Sequence, residues 1–191
     1  MLDYEARRYL HVKLRMRGFS LIEMMIVVVI VAILTLVAMP SFAEWLQNSR
    51  TRSVADSLQN GIRYAQTEAA RLSRLTTVAT VGATWTVTYT QLPTVDSGSA
   101  TLQTSPKGDE VAFVTITPDI PAHAALQFNN LGRVFYASSA AGPFTALTGQ
   151  ASFLVQNPNG PRKLSVVVNA AGKVRMCDPN KTFSDTNPDG C

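Results

Sequence analysis

The sequence predicts an α+β protein in which one long N-terminal helix packs on a small, mainly antiparallel β head. An apolar run occupies positions 19–39, and an amphipathic helical pattern continues to about Ser73. Beyond Leu75 the apolar residues recur at every second position, as in strands. The predicted parts are a leader at 1–18, a transmembrane helix half at 19–39, an amphipathic half at 40–75 and a β-rich head at 76–191.

The formal net charge of +4 comes mostly from the leader. Residues 1–18 hold five basic and two acidic side chains, so residues 19–191 have a net charge of only +1. A nearly neutral chain of this kind is not typical of a dedicated nucleic-acid-binding domain. The basic residues before the apolar run predict that the N-terminus stays in the cytoplasm and that the following part is exported.

The apolar run contains 21 residues, and about 20 suffice to span a bilayer as a helix. A cleaved secretory signal is one interpretation, with Ser41-Phe42-Ala43 as its cleavage site, but such a signal has a shorter apolar core of about 7 to 15 residues. A plain membrane anchor is a second interpretation. It leaves Glu23 unexplained, because a charge at the centre of a transmembrane helix costs about 2.5 to 3.5 kcal/mol.

A third interpretation explains the charge. The stretch "GFSLIE" resembles the signature of type IV prepilins, which implies cleavage after Gly18 by a prepilin peptidase and methylation of the new N-terminus, Phe19. The amine of Phe19 then lies one helical turn from Glu23. In a stack of subunits, the carboxylate of one can pair with the Phe19 amine of its neighbour. A buried pair of this kind adds little net stability but penalises a wrong register.

The amphipathic half is predicted to continue the same helix, with Pro40 causing a kink or a local break. Its apolar stripe consists of Leu46, Val54, Leu58, Ile62, Ala65, Ala69 and Leu72. Basic side chains that can attract phosphates, but that more often form a solvated or subunit-facing side, are Arg50, Arg52, Arg63, Arg71 and Arg74.

The head begins with a predicted hairpin that turns at Gly82 and places Trp85, Val87 and Tyr89 on one face. We expect Trp85 and Tyr89 to be core residues rather than a stacking platform for bases. Residues 91–110 are rich in turn formers and are predicted to be a mobile loop. Further strands are predicted in "VAFVTIT", "AALQF", "RVFYAS", "ASFLVQ", "KLSVVV" and "KVRMC".

Two junctions between these strands, "FNNLGRV" and "VNAAGKV", have the same pattern. Each predicts a tight turn in which a glycine supplies a positive φ angle. The sequence leaves open whether the likeness reflects duplicated structure or shared turn chemistry.

The two cysteines, Cys177 and Cys191, are 14 positions apart in a chain predicted to be exported, so we expect one disulfide that closes the C-terminal tail. With two cysteines and two distant histidines, His11 and His123, a structural zinc site is not expected. No cofactor is predicted. Serine-nucleophile and phosphate-binding motifs are absent, and His123 is expected to be a surface or loop residue, so we predict no enzymatic activity.

The whole pattern, ending in "GKVRMCDP", resembles the GspH/FimT family of minor pilins and pseudopilins. The resemblance covers nearly all of the chain after the leader. It implies a single-pass inner-membrane precursor with a periplasmic head that is later incorporated into a type IV pilus, where it helps to initiate or cap assembly. The alternatives are a pseudopilin of a type II secretion system and a DNA-binding minor pilin. The implied partners are other pilin subunits, the inner membrane and the prepilin peptidase.

The DNA alternative comes from the same resemblance, since some FimT-like pilins bind DNA through a C-terminal glycine-basic-x-Arg region. The matching residues here are Gly172, Lys173 and Arg175, with Lys181 expected nearby. Strand alternation places Lys173 and Arg175 on one face, where phosphate contacts give salt-dependent, sequence-independent affinity. The sequence departs from the family pattern, with lysine where the first arginine is expected. Three acidic residues of the tail oppose a strong basic patch.

Overall fold

A computed structural model describes most of the chain from Gly18 onward. The described residues are 18–92, 96, 100–108, 111, 113–119 and 123–191. The predicted leader therefore lies outside the described residues, apart from Gly18. The chain divides into two units, one that ends at Ser41 and one that comprises Phe42–Cys191, and each is considered by itself.

The long helix α1 runs from Leu21 to Leu72, close to the predicted bounds. It passes through Pro40 without a break. Of the two predicted effects of Pro40, a kink or a local break, the break does not occur, because proline removes one backbone hydrogen bond while the bonds of the neighbouring turns persist. The helix ends where Ser73 takes a φ of 52° and the N–H of Arg74 donates to the Ala69 carbonyl at 3.3 Å, a common helix-ending geometry.

The first unit exposes its apolar side chains. Every described residue from Gly18 to Ser41 is solvent-exposed in the isolated chain. In the second unit, α1 buries one face against the sheets. The buried helix residues are Thr51, Val54, Ala55, Leu58, Gly61, Ile62, Ala65, Glu68 and Ala69. They include most of the predicted apolar stripe, so the amphipathic pattern identified the packed face correctly.

The second unit contains short antiparallel strands. In the described residues these are β1 (Thr76–Val81), β2 (Thr84–Tyr89), β3 (Thr101–Thr104), β4 (Thr115–Pro118), β5 (Ala125–Phe128), β6 (Val134–Ala137), β7 (Thr145–Ala146), β8 (Gln150–Gln156), β9 (Lys163–Asn169) and β10 (Val174–Cys177). Within that part of the chain they form two sheets, with strand orders β3-β2-β1-β5-β6-β7 and β10-β9-β8-β4.

The core lies where the inward faces of both sheets meet the buried face of the helix. In the larger sheet, Val78 pairs with Val87 and with Leu126, and all three side chains are buried. In the smaller sheet, Phe153 pairs with Val166, and both are buried. The predicted α+β architecture, a long helix on an antiparallel β head, is confirmed.

Three parts of the strand prediction were wrong. The short strand β7 was not predicted. The predicted loop at 91–110 contains β3, which pairs with β2. This strand depends on its partner strand, and the local sequence pattern does not indicate that partner. The predicted strand "VAFVTIT" is a strand only from Thr115. Before it, Phe113 has a φ of 66°, which is incompatible with an extended strand.

The two similar glycine turns have the same hydrogen bonding. Gly132 and Gly172 have φ angles of 77° and 80°. In each turn the glycine N–H donates to the carbonyl of an asparagine, Asn129 or Asn169, at 3.0 and 2.9 Å. Each asparagine side chain also accepts the N–H of the basic residue after the glycine, at 2.9 and 2.8 Å. The two turns therefore share their turn chemistry.

Candidate functional site

The predicted cleavage site lies just before the helix. Gly18, Phe19 and Ser20 are non-helical and exposed, and α1 begins at Leu21. The Ser20 hydroxyl oxygen accepts the backbone N–H of Glu23 at 3.2 Å, and the Ser20 carbonyl accepts the N–H of Met24 at 3.2 Å. Ser20 is therefore the N-cap of the helix, and Glu23 lies in its first turn.

Sequence reasoning missed the role of Ser20, although a signal was present. Ser20-Leu-Ile-Glu23 has the Ser-x-x-Glu spacing of a capping box, in which the third helical residue is glutamate. A carboxylate in the first helical turn interacts favourably with the positive end of the helix dipole. The charge of Glu23 is therefore placed at a favourable end of the helix before any second subunit is considered.

The apolar part of α1 is long and hydrophobic enough to cross a membrane, by length and composition alone. Its exposed large side chains include Leu21, Ile26, Val31 and Leu36. An unbroken apolar surface of this extent needs a cover other than water, since monomeric soluble proteins rarely expose such patches.

The hairpin β9–β10 carries the residues predicted to contact DNA. Lys173 follows the Gly172 turn, and Arg175 pairs with Val167 of β9. Both side chains line one surface pocket with Val167, Gln150 and Asn169. Lys173 is exposed and Arg175 is half-buried. Strand alternation thus places the two basic residues on one face, as expected.

The C-terminal tail holds Arg175. Its guanidinium donates to the carbonyl oxygen of Cys191 at 3.2 Å and lies 5.7 Å from the ring centroid of Phe183. Lys181 is paired with Asp189 at 2.6 Å. The hydrogen bond from Lys181 lowers the pKa of the Asp189 carboxyl and the same bond raises the pKa of Lys181. Lys173 and Lys181 are both exposed, and Arg175 is half-buried.

The tail itself is closed by the disulfide between Cys177 and Cys191, whose Cα atoms are 5.1 Å apart. The N–H of Cys191 donates to the carbonyl of Lys181 at 2.9 Å, and the N–H of Asp178 donates to the carbonyl of Asp189 at 2.7 Å. Gly190 lies so close to the backbone of the chain that a Cβ there would be 2.6 Å from Thr182 C. The disulfide and these backbone hydrogen bonds together order the tail.

The arginines of the amphipathic half mostly have partners within the chain. Arg52 lies 3.7 Å from Asp56, and Arg71 pairs with Glu68 at 2.6 Å, a hydrogen bond that raises the pKa of Arg71. Arg63 donates to a carbonyl of β10 at 3.4 Å. These contacts favour a structural role over phosphate binding.

A further ion pair ties the loop after β2 to the end of the helix. Arg74 binds Asp96 and also lies 5.7 Å from the ring centroid of Tyr89. The Asp96 carboxylate accepts the N–H of Leu92 at 2.7 Å. That backbone hydrogen bond, together with Arg74, holds the pKa of Asp96 below its ordinary value, against the opposing effect of desolvation. No local sequence signal identifies this pair.

His123 is buried, which corrects the expectation of a surface residue. Its Nδ1 lies 2.7 Å from the Asp119 carboxylate, and its ring meets the edge of Tyr136 at a centroid distance of 4.6 Å. An aromatic partner and a carboxylate compensate the burial of the imidazole. Among the described residues, no group of three or more His, Cys, Asp or Glu side chains is arranged to hold a metal ion.

Comparison with known proteins identifies the two parts of the chain. Residues 13–39 match the prokaryotic N-terminal methylation motif, and residues 54–172, more than half of the chain, match type II transport protein GspH. A search of curated proteins gives no match.

Among solved structures, the chain is similar to the type IV minor pilin FimU of Pseudomonas aeruginosa strain PAO1, crystallised in space group P21. The TM-score is 0.50 at 15% identity, and the match covers 74% of this chain and 97% of FimU. A second crystal form of FimU, in space group P65, gives a TM-score of 0.46 at 15% identity, covering 70% and 97% of the two chains.

At this identity the structural likeness shows the fold alone. The methylation motif and the GspH match are those of pilin-like structural subunits, and the fold agrees with them. The apolar N-terminal helix fits an inner-membrane-anchored pilin, and the motif indicates processing by a peptidase. The chain belongs to the GspH/FimT family of pilin-like proteins.

Proposed function

We propose that the chain is a minor pilin or pseudopilin that helps to initiate or cap assembly of a type IV pilus. One observation carries the proposal. A single continuous helix, α1, has an exposed apolar half and a half with a face buried in the head. The buried half explains how the head is stable, and the apolar half needs a bilayer or the helices of other subunits around it.

In this proposal the precursor crosses the inner membrane once, through residues 19–39, and its head of residues 76–191 lies in the periplasm. The leader of residues 1–18 is removed by cleavage after Gly18, and the new N-terminus is methylated at Phe19. The match to the methylation motif, which includes this junction, supports the assignment.

Processing is tested by the substitution Gly18→Val. We expect the variant to stay at the precursor mass and to be absent from filaments, because the prepilin signature that this chain resembles has glycine at this position. Gly149→Val is the control, since no described atom lies within 4 Å of a Cβ there. Normal processing and assembly of the Gly18 variant would refute the proposed maturation.

The role of Glu23 in assembly is to pair with the Phe19 amine of a neighbouring subunit. Two opposite charges in an apolar surrounding impose a strict register, since a mismatched subunit leaves one charge unpaired. We expect Glu23→Ala to be processed but to enter filaments poorly. Glu44→Ala is the control, because it removes an exposed carboxylate from the same helix, and it should be incorporated normally. Equal incorporation of both variants would remove the register role.

A secretion pseudopilus is the second candidate, and the description of the matched family as a type II transport protein favours it. Deletion of the gene separates the two. A deletion mutant that lacks surface pili but secretes proteins normally supports a pilus subunit. A deletion mutant that has normal pili but accumulates secreted proteins in the periplasm supports a pseudopilus subunit.

DNA binding is the third candidate, carried by the shared face of Lys173 and Arg175. A gel-shift titration of the soluble fragment from about residue 46, which contains the head and the packed half of α1, should show affinity that falls with salt and that is lost in Lys173→Ala/Arg175→Ala. The double variant Arg52→Ala/Lys107→Ala removes the same charge elsewhere and is the control. Binding that ignores salt, or that both variants retain, counts against this patch.

A further inference from the structure

The proposed scissile bond lies just before a helix that Ser20 caps. The Gly18–Phe19 bond lies two residues before Leu21, the first residue of α1. Ser20 caps the helix through its hydroxyl, and its own carbonyl accepts the first intrahelical bond, from Met24. The carbonyl of Gly18 therefore precedes the ladder of helical hydrogen bonds.

A competing helix start lies two residues upstream. Glycine is an acceptable N-cap, only slightly weaker than serine, whereas alanine is a poor cap and the best helix-interior residue. If residue 20 loses its capping oxygen, Gly18 can become the N-cap, with Phe19 and residue 20 in the first turn. The carbonyl of Gly18 would then accept the N–H of Ile22, because the N-cap carbonyl accepts the first intrahelical bond.

We propose that Ser20 is a positioning residue for prepilin processing, which keeps the scissile carbonyl of Gly18 outside the helix and free for the peptidase. This inference rests on the proposed cleavage after Gly18. Ser20 need not touch the peptidase. It acts through the backbone, by making the helix start at Leu21 more favourable than the start two residues earlier.

The test is steady-state cleavage of the full-length precursor in detergent micelles by purified prepilin peptidase. Loss of a cap shifts a helix-start equilibrium by about fivefold, and a substrate that is competent for only a fraction of the time has its apparent affinity reduced by that fraction. In the wild type the start at Leu21 is the favoured one, so at least half of the substrate is already competent. A fivefold shift of the equilibrium then changes the competent fraction by at most about threefold. We expect Ser20→Ala to raise KM by roughly two- to threefold at unchanged kcat. Ser20→Thr, which retains a capping oxygen, should stay near wild type. Ser41→Ala makes the same chemical change in the exposed helix interior and should be silent.

A rescue separates a backbone role from direct recognition of the hydroxyl. Proline is favoured at the first helical position and disfavours helical geometry in the residue before it. Leu21→Pro should therefore fix the helix start without a cap, so that Ser20→Ala/Leu21→Pro has the same KM as Leu21→Pro alone.

The outcomes are distinct. An unchanged KM for Ser20→Ala overturns the inference. So does a rise in KM of the same size when Leu21→Pro is the reference, since the hydroxyl would then be recognised directly. Wild-type precursor that is cut elsewhere, or not at all, overturns the proposed function and the inference with it. A KM effect that Leu21→Pro removes supports the positioning role.

Discussion

Gly61 is the one buried glycine of the helix among the described residues, and its substitution tests how the head is packed. An added Cβ would lie 2.6, 2.7 and 2.9 Å from three ring atoms of Trp85. The ring is only 2% exposed, and its N–H donates to the Ser57 hydroxyl at 3.2 Å, so it has little room to move. Glycine at this position is therefore required by the indole.

The magnitude for Gly61→Ala follows from two opposing effects. Alanine gains up to about 1 kcal/mol of helix propensity over glycine. Overpacking a well-filled core costs about 1 to 3 kcal/mol, and a bulky ring without space to shift favours the upper part of that range. We expect a net loss of about 1 to 2 kcal/mol, which lowers Tm by roughly 3 to 6 °C for a domain of this size.

The assay is thermal and urea unfolding of the soluble fragment from about residue 46, which contains the head and the packed half of α1. Asn60→Ala, at the neighbouring exposed helix position, is the control and should be neutral or slightly stabilising. In a Trp85→Phe background the Gly61→Ala penalty should shrink, because the clashing ring is smaller. A Gly61→Ala head as stable as wild type would refute the proposed contact.

Three further stability predictions use the same head. Gly172→Ala should cost more than the roughly 1 to 2 kcal/mol expected for Gly132→Ala from its positive φ alone, because a Cβ at Gly172 also lies 2.9 Å from the Gly132 carbonyl oxygen; equal Tm losses would contradict this. Cys177→Ser should lower the free energy of unfolding by about 3 kcal/mol, and reduction of the wild-type disulfide should do the same. Asp96 has a lowered pKa, so its stabilising effect is complete above its ordinary pKa and is lost as pH falls through the lower folded value. Asp96→Asn should therefore weaken the fall in the free energy of unfolding at acid pH. The same pH dependence in the variant and the wild type would argue against the ion pair.

The sequence was sufficient wherever local chemistry dictates structure. The 3.6-residue stripe located the buried face of α1, and the glycine at Gly82, with a φ of 60°, marked the turn between β1 and β2. The inward face of β2 was predicted for Trp85 and Val87, which are buried, whereas Tyr89, also expected in the core, is half-buried. Each of these features depends on residues a few positions apart, which is the range that periodicity and turn chemistry describe.

The features that the sequence did not show depend on distant partners. β3 is a strand because it pairs with β2. His123 is buried in contact with the Asp119 carboxylate and the Tyr136 ring. Arg175 belongs to the predicted basic face, yet the tail engages its guanidinium through a carbonyl 16 residues away. Residue type and spacing identified Arg175 as a candidate, whereas its partner is set by how the disulfide-closed tail folds back.

Glu23 has two separable roles, one within its own helix and one between subunits. As the residue at the third helical position after the Ser20 cap, it suits a helix N-terminus through hydrogen bonding and charge, whereas pairing with a neighbouring Phe19 amine depends on charge alone. Glutamine can replace glutamate in a capping box but cannot form an ion pair.

The substitution Glu23→Gln therefore divides the two roles. If the charge pair governs assembly, Glu23→Gln should be cleaved at the wild-type rate and still enter filaments as poorly as Glu23→Ala, measured as the ratio of filament-bound to membrane-bound protein. If instead the carboxylate matters only for starting the helix, Glu23→Gln will assemble normally while Glu23→Ala fails. That second result would leave the helix N-terminus, and not the neighbouring subunit, as the reason for a charge in an apolar segment.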